Sequence, residues 1–263
     1  MGRLLLIAAL LLCAGCAARG LRPSGAPSEV AGVLRQDSLW KGRILITDDL
    51  LVPEGISLTI LPGTDIAVRE AESTRIDPLY LSSRTEILVR GRLYVAGTPE
   101  QPVRFYPVKA QDAIDDAPPL WGGIILEAAR EARLNHGRLE QADVCLQAID
   151  TSMVLFETDL RDCRYGVLLQ GPGTSQLRAS RIEGGEAGLF LWQGAQAELT
   201  DVRFTGQSEE AVSQDASSVA RFFGVHIEGA SIGLAAPEAQ LGAAGLSFEG
   251  VGLERKALGG QGP

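Results

Sequence analysis

Residues 181–204 read RIEGGEAGLFLWQGAQAELTDVRF, one full copy of a pattern that recurs about every 22 residues across residues 134–253. On one register its apolar residue is Leu139, Leu160, Ile182, Phe204, Ile227 and Phe248, at spacings of 21, 22, 22, 23 and 21. A second apolar series follows: Val144, Val167, Leu189, Val212, Leu234 and Leu253. Several of these stand after glycine, as in Gly166-Val167, Gly188-Leu189 and Gly233-Leu234. A fixed period near 20 to 25 residues marks a solenoid, in which each repeat buries its apolar side only by stacking on its neighbours.

The local pattern decides which solenoid. Leucine-rich repeats share the period but require a dense Leu ladder with Asn or Cys at a fixed place, and that place is empty here. Apolar and polar residues alternate instead, as in Leu199-Thr-Asp-Val202-Arg-Phe204, which is the period of a strand with one buried face. Turns fall at Gly171-Pro172-Gly173, Gly184-Gly185 and Gly194. About 22 residues with two or three short strands make one coil of a parallel β-helix, stacked on the next at about 4.8 Å. Residues 126–142 are rich in helix formers, so propensity alone allows a helix there. Gly137 interrupts that run and Leu139 falls on the repeat register, which favours strand.

The pattern extends toward the N-terminus. Leu50-Leu-Val52-Pro-Glu-Gly55-Ile-Ser-Leu58-Thr-Ile60-Leu-Pro62-Gly63-Thr64 is followed by Gly91-Arg-Leu93-Tyr-Val95-Ala-Gly97-Thr98-Pro99-Glu-Gln-Pro102-Val103-Arg-Phe105 and then Trp121-Gly122-Gly123-Ile124. These motifs resemble the bacterial right-handed parallel β-helix proteins of the pectate-lyase-like superfamily, and the likeness runs over about residues 39–253. The resemblance implies an all-β solenoid of about nine or ten coils; its motifs specify coil geometry and not chemistry.

The first 16 residues are expected to be a signal peptide. Arg3 gives a positive start, Leu4 to Leu12 form an apolar run, and Cys13-Ala14-Gly15-Cys16 closes it. The run resembles a bacterial lipobox, with Cys16 as the cysteine that would carry lipid; Cys13 departs from the Leu usual at its place. An ordinary signal cut near Ala17 or Ala18 is the alternative. Several acyl chains, at about 0.8 kcal/mol per buried methylene, would make the anchor effectively permanent. Ala17 after the cysteine favours the outer membrane over inner-membrane retention. Residues 17–36 read as a flexible tether, 37–253 as the β-helix and 254–263 as a disordered tail.

Composition narrows the partners. Twenty-four basic against 33 acidic residues give a net charge of −9, so a nucleic-acid partner is excluded by charge. The membrane through its N-terminal lipid, a polysaccharide and an envelope protein remain. His136 and His226 are four coils apart, about 19 Å, too far to share a metal, and no metal or cofactor is expected. Cys163 follows Cys145 by 18 residues, about four short of the period. Four residues of strand amount to about 13 Å, and a disulfide needs Cα atoms within about 7 Å, so the two thiols are expected to be unpaired.

Catalytic motifs are sparse. Polygalacturonases of the superfamily carry Asn-Thr-Asp, Asp-Asp, His-Gly and Arg-x-Lys motifs; Asp115-Asp116 and His136-Gly137 match the middle two, while the outer two are absent. Asp112, Asp115 and Asp116 sit in a polar, Pro-flanked insertion that reads as a solvated loop. A calcium site of the lyase kind is disfavoured, because Asp159 has Arg138 and Arg181 in the coils on either side. That column continues as Arg203, His226 and Ser247, with Glu140, Arg161, Glu183, Thr205, Glu228 and Glu249 beside it. Both columns point outward, either as a solvated salt-laced face or as a docking strip. Phe190 and Trp192 alternate with inward Leu189 and Leu191, so they are candidate binding anchors, unless a loop covers them. The expectation is a non-catalytic, lipid-anchored envelope protein that binds a glycan or protein through Arg181, Arg203, Phe190 and Trp192. A polysaccharide lyase or glycoside hydrolase and a structural subunit of an envelope complex are the alternatives.

Overall fold

The computed structural model describes residues 26–71, 83–109 and 120–259. These form a parallel β-solenoid of about nine turns, with 26 strands and a single short 3₁₀ turn at Glu238–Gln240. Each full coil carries three strands around a triangular cross-section. Face A is an eight-stranded sheet running from Ser38–Trp40 to Val219–Phe223. Faces B and C join in an 18-stranded sheet, because the ten-residue strand Arg43–Val52 runs along both. One coil illustrates the path: Ala195–Thr200 lies on face A, Arg203–Thr205 on B and Glu210–Gln214 on C. Residues 126–142 take the strand reading, as the end of Trp121–Glu127, then Glu131–Asn135 and Gly137–Glu140.

Register follows the repeat. Leu139 pairs with Leu160, Leu160 with Ile182, Ile182 with Phe204, Phe204 with Ile227 and Ile227 with Phe248. All but the last are buried, and each fully buried aliphatic or Phe side chain contributes about 1.5–3 kcal/mol relative to exposure. Parallel strands also carry an interior aromatic step, with the Phe105 and Trp121 rings parallel at 6.3 Å between centroids.

Corners explain why the coils stack without gaps. At the A–B corner His136, Glu157, Ala179, Asp201 and Gly224 all take positive φ, from 46° to 65°. The B–C corner repeats this with Gln141, Asp162, Gly184, Gly206, Gly229 and Gly250, and the C–A corner with Ala128, Asp150, Gly171 and Gln193. In this left-handed conformation the turning residue keeps its N–H in the parallel ladder. The His136 N–H donates to Phe156 O at 2.9 Å, and that of Glu157 to Arg178 O at 3.0 Å. Gly185, at φ 80° beside the B–C corner, is required as glycine on a second count, since a Cβ there would lie 1.9 Å from the Cys163 backbone oxygen in the coil before.

Three expectations are corrected. The segment read as a tether contains a strand, Ser28–Val33, which pairs with Arg43–Val52 and closes the N-terminal end. The segment read as a disordered tail likewise begins with the rest of a strand, Leu253–Ala257, paired on Ile232–Ala236. The largest error concerns the thiols: Cys145 and Cys163 form a disulfide, with Cα atoms 5.6 Å apart. The supposed offset does not run along a straight strand. It runs round the B–C corner and through a bulge at Cys145, between the pairs Val144–Gly123 and Leu146–Ile124, so both side chains meet inside one corner. Cys16 and the Asp112, Asp115 and Asp116 loop lie outside the described residues.

Candidate functional site

The ladder of charged side chains on face B is in register, because strands only three or four residues long leave one or two outward positions per coil. Arg138 pairs with Asp159, Asp159 with Arg181, Arg181 with Arg203 and Arg203 with His226. Toward the N-terminal end the column continues through Arg104 and Asp65, joined at 2.7 Å. The neighbouring column is mostly acidic, running Glu140, Arg161, Glu183, Thr205, Glu228 and Glu249. Asp159 is the hub: Arg138, Arg161 and Arg181 approach its carboxylate at 3.8, 3.9 and 3.6 Å, and it is only 15% exposed.

Beside this ladder, at the A–B corner, lies a cleft of about 360 Å³. His136, Glu157 and Ala179 from the corner column line it together with Arg138, Asp159 and Arg181, and Thr98, Pro99 and Pro102 form one end. That end is a fixed turn, since Thr98 N and Gln101 N each reach the other's carbonyl at 3.1 Å and Gln101 N also reaches Thr98 Oγ1. His136 Nδ1 lies 3.1 Å from Glu157 Oε2, and the ring meets Phe156 edge-on at 5.7 Å. Each acid in the cleft therefore has a cationic or imidazole neighbour.

Of the sequence-derived site residues, Arg181 lines the cleft. Arg203 stands one coil further on, hydrogen-bonded to Glu228 at 3.3 Å. Phe190 and Trp192 are on face C, separated from the arginines by the B–C corner. Both rings are half-buried and pack edge to face at 5.3 Å; the Trp192 indole nitrogen is shielded from solvent and has no hydrogen-bond partner among the described residues. The four residues thus do not form one site. Sequence reasoning missed Glu157, Ala179 and the Thr98 to Pro102 turn as cleft residues. The signal for Glu157 was present, because it follows His136 by 21 residues, one coil.

Titration is perturbed at Tyr94 and Glu131 on face A and at Arg164 and Tyr165 by the B–C corner. On face A the Tyr94 hydroxyl donates to Glu131 Oε2 at 2.7 Å; this bond raises the tyrosine pKa and, with Arg133, lowers that of Glu131. Burial raises Tyr165 at the B–C corner, and the adjoining Arg164 is raised by its bond to Glu186 at 3.1 Å. His226, on face B, contacts Ser247 Oγ at 3.0 Å and Glu249 at 3.5 Å. Among the described residues no cluster of three His, Cys, Asp or Glu side chains is placed to hold a metal ion. The arrangement at the cleft can hold and orient a charged group against fixed guanidiniums. Comparison of the chain with protein-family models, with curated proteins and with solved structures found no match.

Proposed function

We propose that this chain is a non-catalytic, lipid-anchored protein of the bacterial cell envelope, at the outer membrane, that binds or scaffolds a glycan or protein partner. The observation that carries the reading is the face B ladder ending in the corner cleft. It is a rigid, flat, strongly charged surface in which every acid is neighboured by a cation or imidazole, which suits recognition better than proton transfer. The Cys145–Cys163 disulfide supports an exported location, since such bonds persist in oxidising compartments. Cys16 and the apolar run before it support the anchor.

The test is retention of partners from detergent-solubilised envelope on the full-length chain, followed by a glycan array. Arg181→Glu should lower retention at least tenfold without changing the melting temperature by more than a few degrees. Equal retention by wild type and variant removes face B from the reading.

A second reading is favoured by one observation. His136 beside Glu157, with Arg138 and Arg181 in the same cleft, is the kind of group set a polysaccharide lyase or glycoside hydrolase uses. Release of unsaturated or reducing sugars from an acidic polysaccharide by the purified chain, lost in His136→Ala, would replace the binding reading with this one.

A further inference from the structure

The geometry points to an oxyanion seat in the corner cleft, and we propose that the group it holds is a phosphate or sulfate ester. The proposal deepens the reading of face B as a binding surface and rests on it. Its first support is charge. Three guanidiniums surround the one Asp159 carboxylate, and only Arg161 has a second acid, Glu183 at 3.7 Å. On a chain of net charge −9, the cleft sets Arg138, Arg181 and the His136 imidazole against two carboxylates, Asp159 and Glu157.

The second support is unused donors. A guanidinium carries five N–H groups. Arg138 and Arg181 meet Asp159 only at ion-pair distances of 3.8 and 3.6 Å, and neither makes a hydrogen bond to a described residue. His136 Nδ1 is beside Glu157, and its Nε2, a donor when the imidazole is protonated, has no partner among the described residues. Arg138 and Arg181 stand two coils apart, about 10 Å or twice the strand spacing, and His136 lines the same cleft from the corner. A planar carboxylate has two oxygens in one plane, and Asp159 already supplies that shape. A tetrahedral ester offers three oxygens in separate directions, which matches two guanidiniums and an imidazole.

Ala179 gives the third support. It holds φ 48°, a conformation unfavourable for a non-glycine aliphatic residue, where neighbouring coils use Glu157, Asp201 and Gly224. It lines the cleft with Glu157 and Arg181, and its methyl is the smallest side chain other than glycine that the position can carry. Ala128 carries the same strain, φ 45°, at the C–A corner away from the cleft, and so provides a matched control. Asparagine tolerates this conformation better than alanine. Ala179→Asn should therefore raise stability while filling the cleft, and Ala128→Asn should raise stability alone.

The experiment measures thermal unfolding of the full chain against inorganic phosphate and sulfate, with ionic strength held constant by chloride. A bound anion raises the melting temperature with the logarithm of one plus its concentration over Kd. We expect wild type and Ala128→Asn to respond alike. Ala179→Asn and the double variant Arg138→Gln/Arg181→Gln should bind at least tenfold more weakly. Equal responses from the Asn pair, or an undiminished response from the double Arg variant, would overturn the assignment. So would a larger shift with galacturonate than with phosphate at equal concentration. Competition between glycerol phosphate and phosphatidic acid vesicles then separates a soluble ester from a lipid headgroup. If phosphate has no effect while the envelope partner is still retained through Arg181, only the oxyanion proposal fails.

Discussion

The disulfide between Cys145 and Cys163 joins consecutive coils inside the B–C corner, and both cysteines are buried. Closing a loop of 18 residues removes unfolded-state freedom equivalent to about 3 kcal/mol. Replacing both cysteines by alanine should lower the urea midpoint correspondingly, and reductant should then have no further effect. Intact mass should match the oxidised chain, lighter by two hydrogens than the dithiol. Stability indifferent to both changes would show that the bond does not constrain the coil. Trp192 raises the opposite question, because its indole N–H is shielded and has no partner among the described residues. An unpaired buried donor costs about 1–3 kcal/mol. Trp192→Phe keeps an aromatic ring against Phe190 and removes that donor, so the melting temperature should hold or rise. Destabilisation by more than about 1 kcal/mol would show that the N–H has an acceptor within the chain. If stability holds but envelope retention falls, the exposed part of the indole ring contacts the partner.

Corners are the elements that set the stack, and Asp215 shows how one is pinned. Burial disfavours its charge, but hydrogen bonds outweigh that: Gln193 N–H donates at 2.8 Å, and Ser217 gives its N–H at 3.0 Å and its hydroxyl at 2.9 Å. Its pKa is therefore held below the usual value of 3.8. A depressed folded-state pKa gives stability that is fully present above the unfolded pKa and lost as pH falls through the folded one. Asp215→Asn should thus be less stable than wild type at neutral pH, with the gap closing below about pH 4. A gap that is constant down to about pH 2 would mean that the carboxylate charge has no role there. The register of the Leu139 to Phe248 series was legible in the sequence, because a buried face imposes period 2 within strands and a fixed interval between coils; the second series held only from Val167 to Leu234, since Val144 pairs with Tyr165 and Leu253 with Ile232, leaving Leu146 and Arg255 in its column. The corners were legible only where glycine marks them. Gln141, Asp162, His136 and Ala179 adopt the same left-handed turn without that mark, since stacking and the ladder hydrogen bond impose it. The bulge at Cys145 was invisible for a related reason, because counting residues treats a bent path as a straight one. The ladder through Arg138, Asp159 and Arg181 was legible; the cleft was not, as it depends on what the corner and the Thr98 turn do in space.

At the scale of the whole molecule, a parallel solenoid has two open ends, and each end strand could template the next chain. The N-terminal end is covered by Ser28–Val33, polar or exposed at most positions. At the C-terminal end, Leu241, Ala243, Leu246, Phe248 and Val251 are only partly buried, and Leu253 is 49% exposed. Arg255 occupies the position that pairs with buried Leu234 in the coil before. It donates to the carbonyls of Leu241 and Ala243 and lies over the Phe248 ring, 5.4 Å from its centroid. A charged residue at a core position of the last coil ends the apolar stack, satisfies backbone carbonyls that another turn would have masked, and makes continuation costly. Arg255→Leu should restore the apolar column and leave those carbonyls unpaired at the edge. The expected outcome is a concentration-dependent rise in mass by sedimentation velocity, with the circular dichroism of the solenoid unchanged. Arg255→Lys, which keeps the charge but not the paired donors, should associate far less. If Arg255→Leu sediments as wild type does at every concentration, the cap is supplied by other residues of the last coil. If wild type itself associates and Arg255→Glu abolishes that, the end coil is an assembly surface, and the structural-subunit alternative for this chain gains over the binding one.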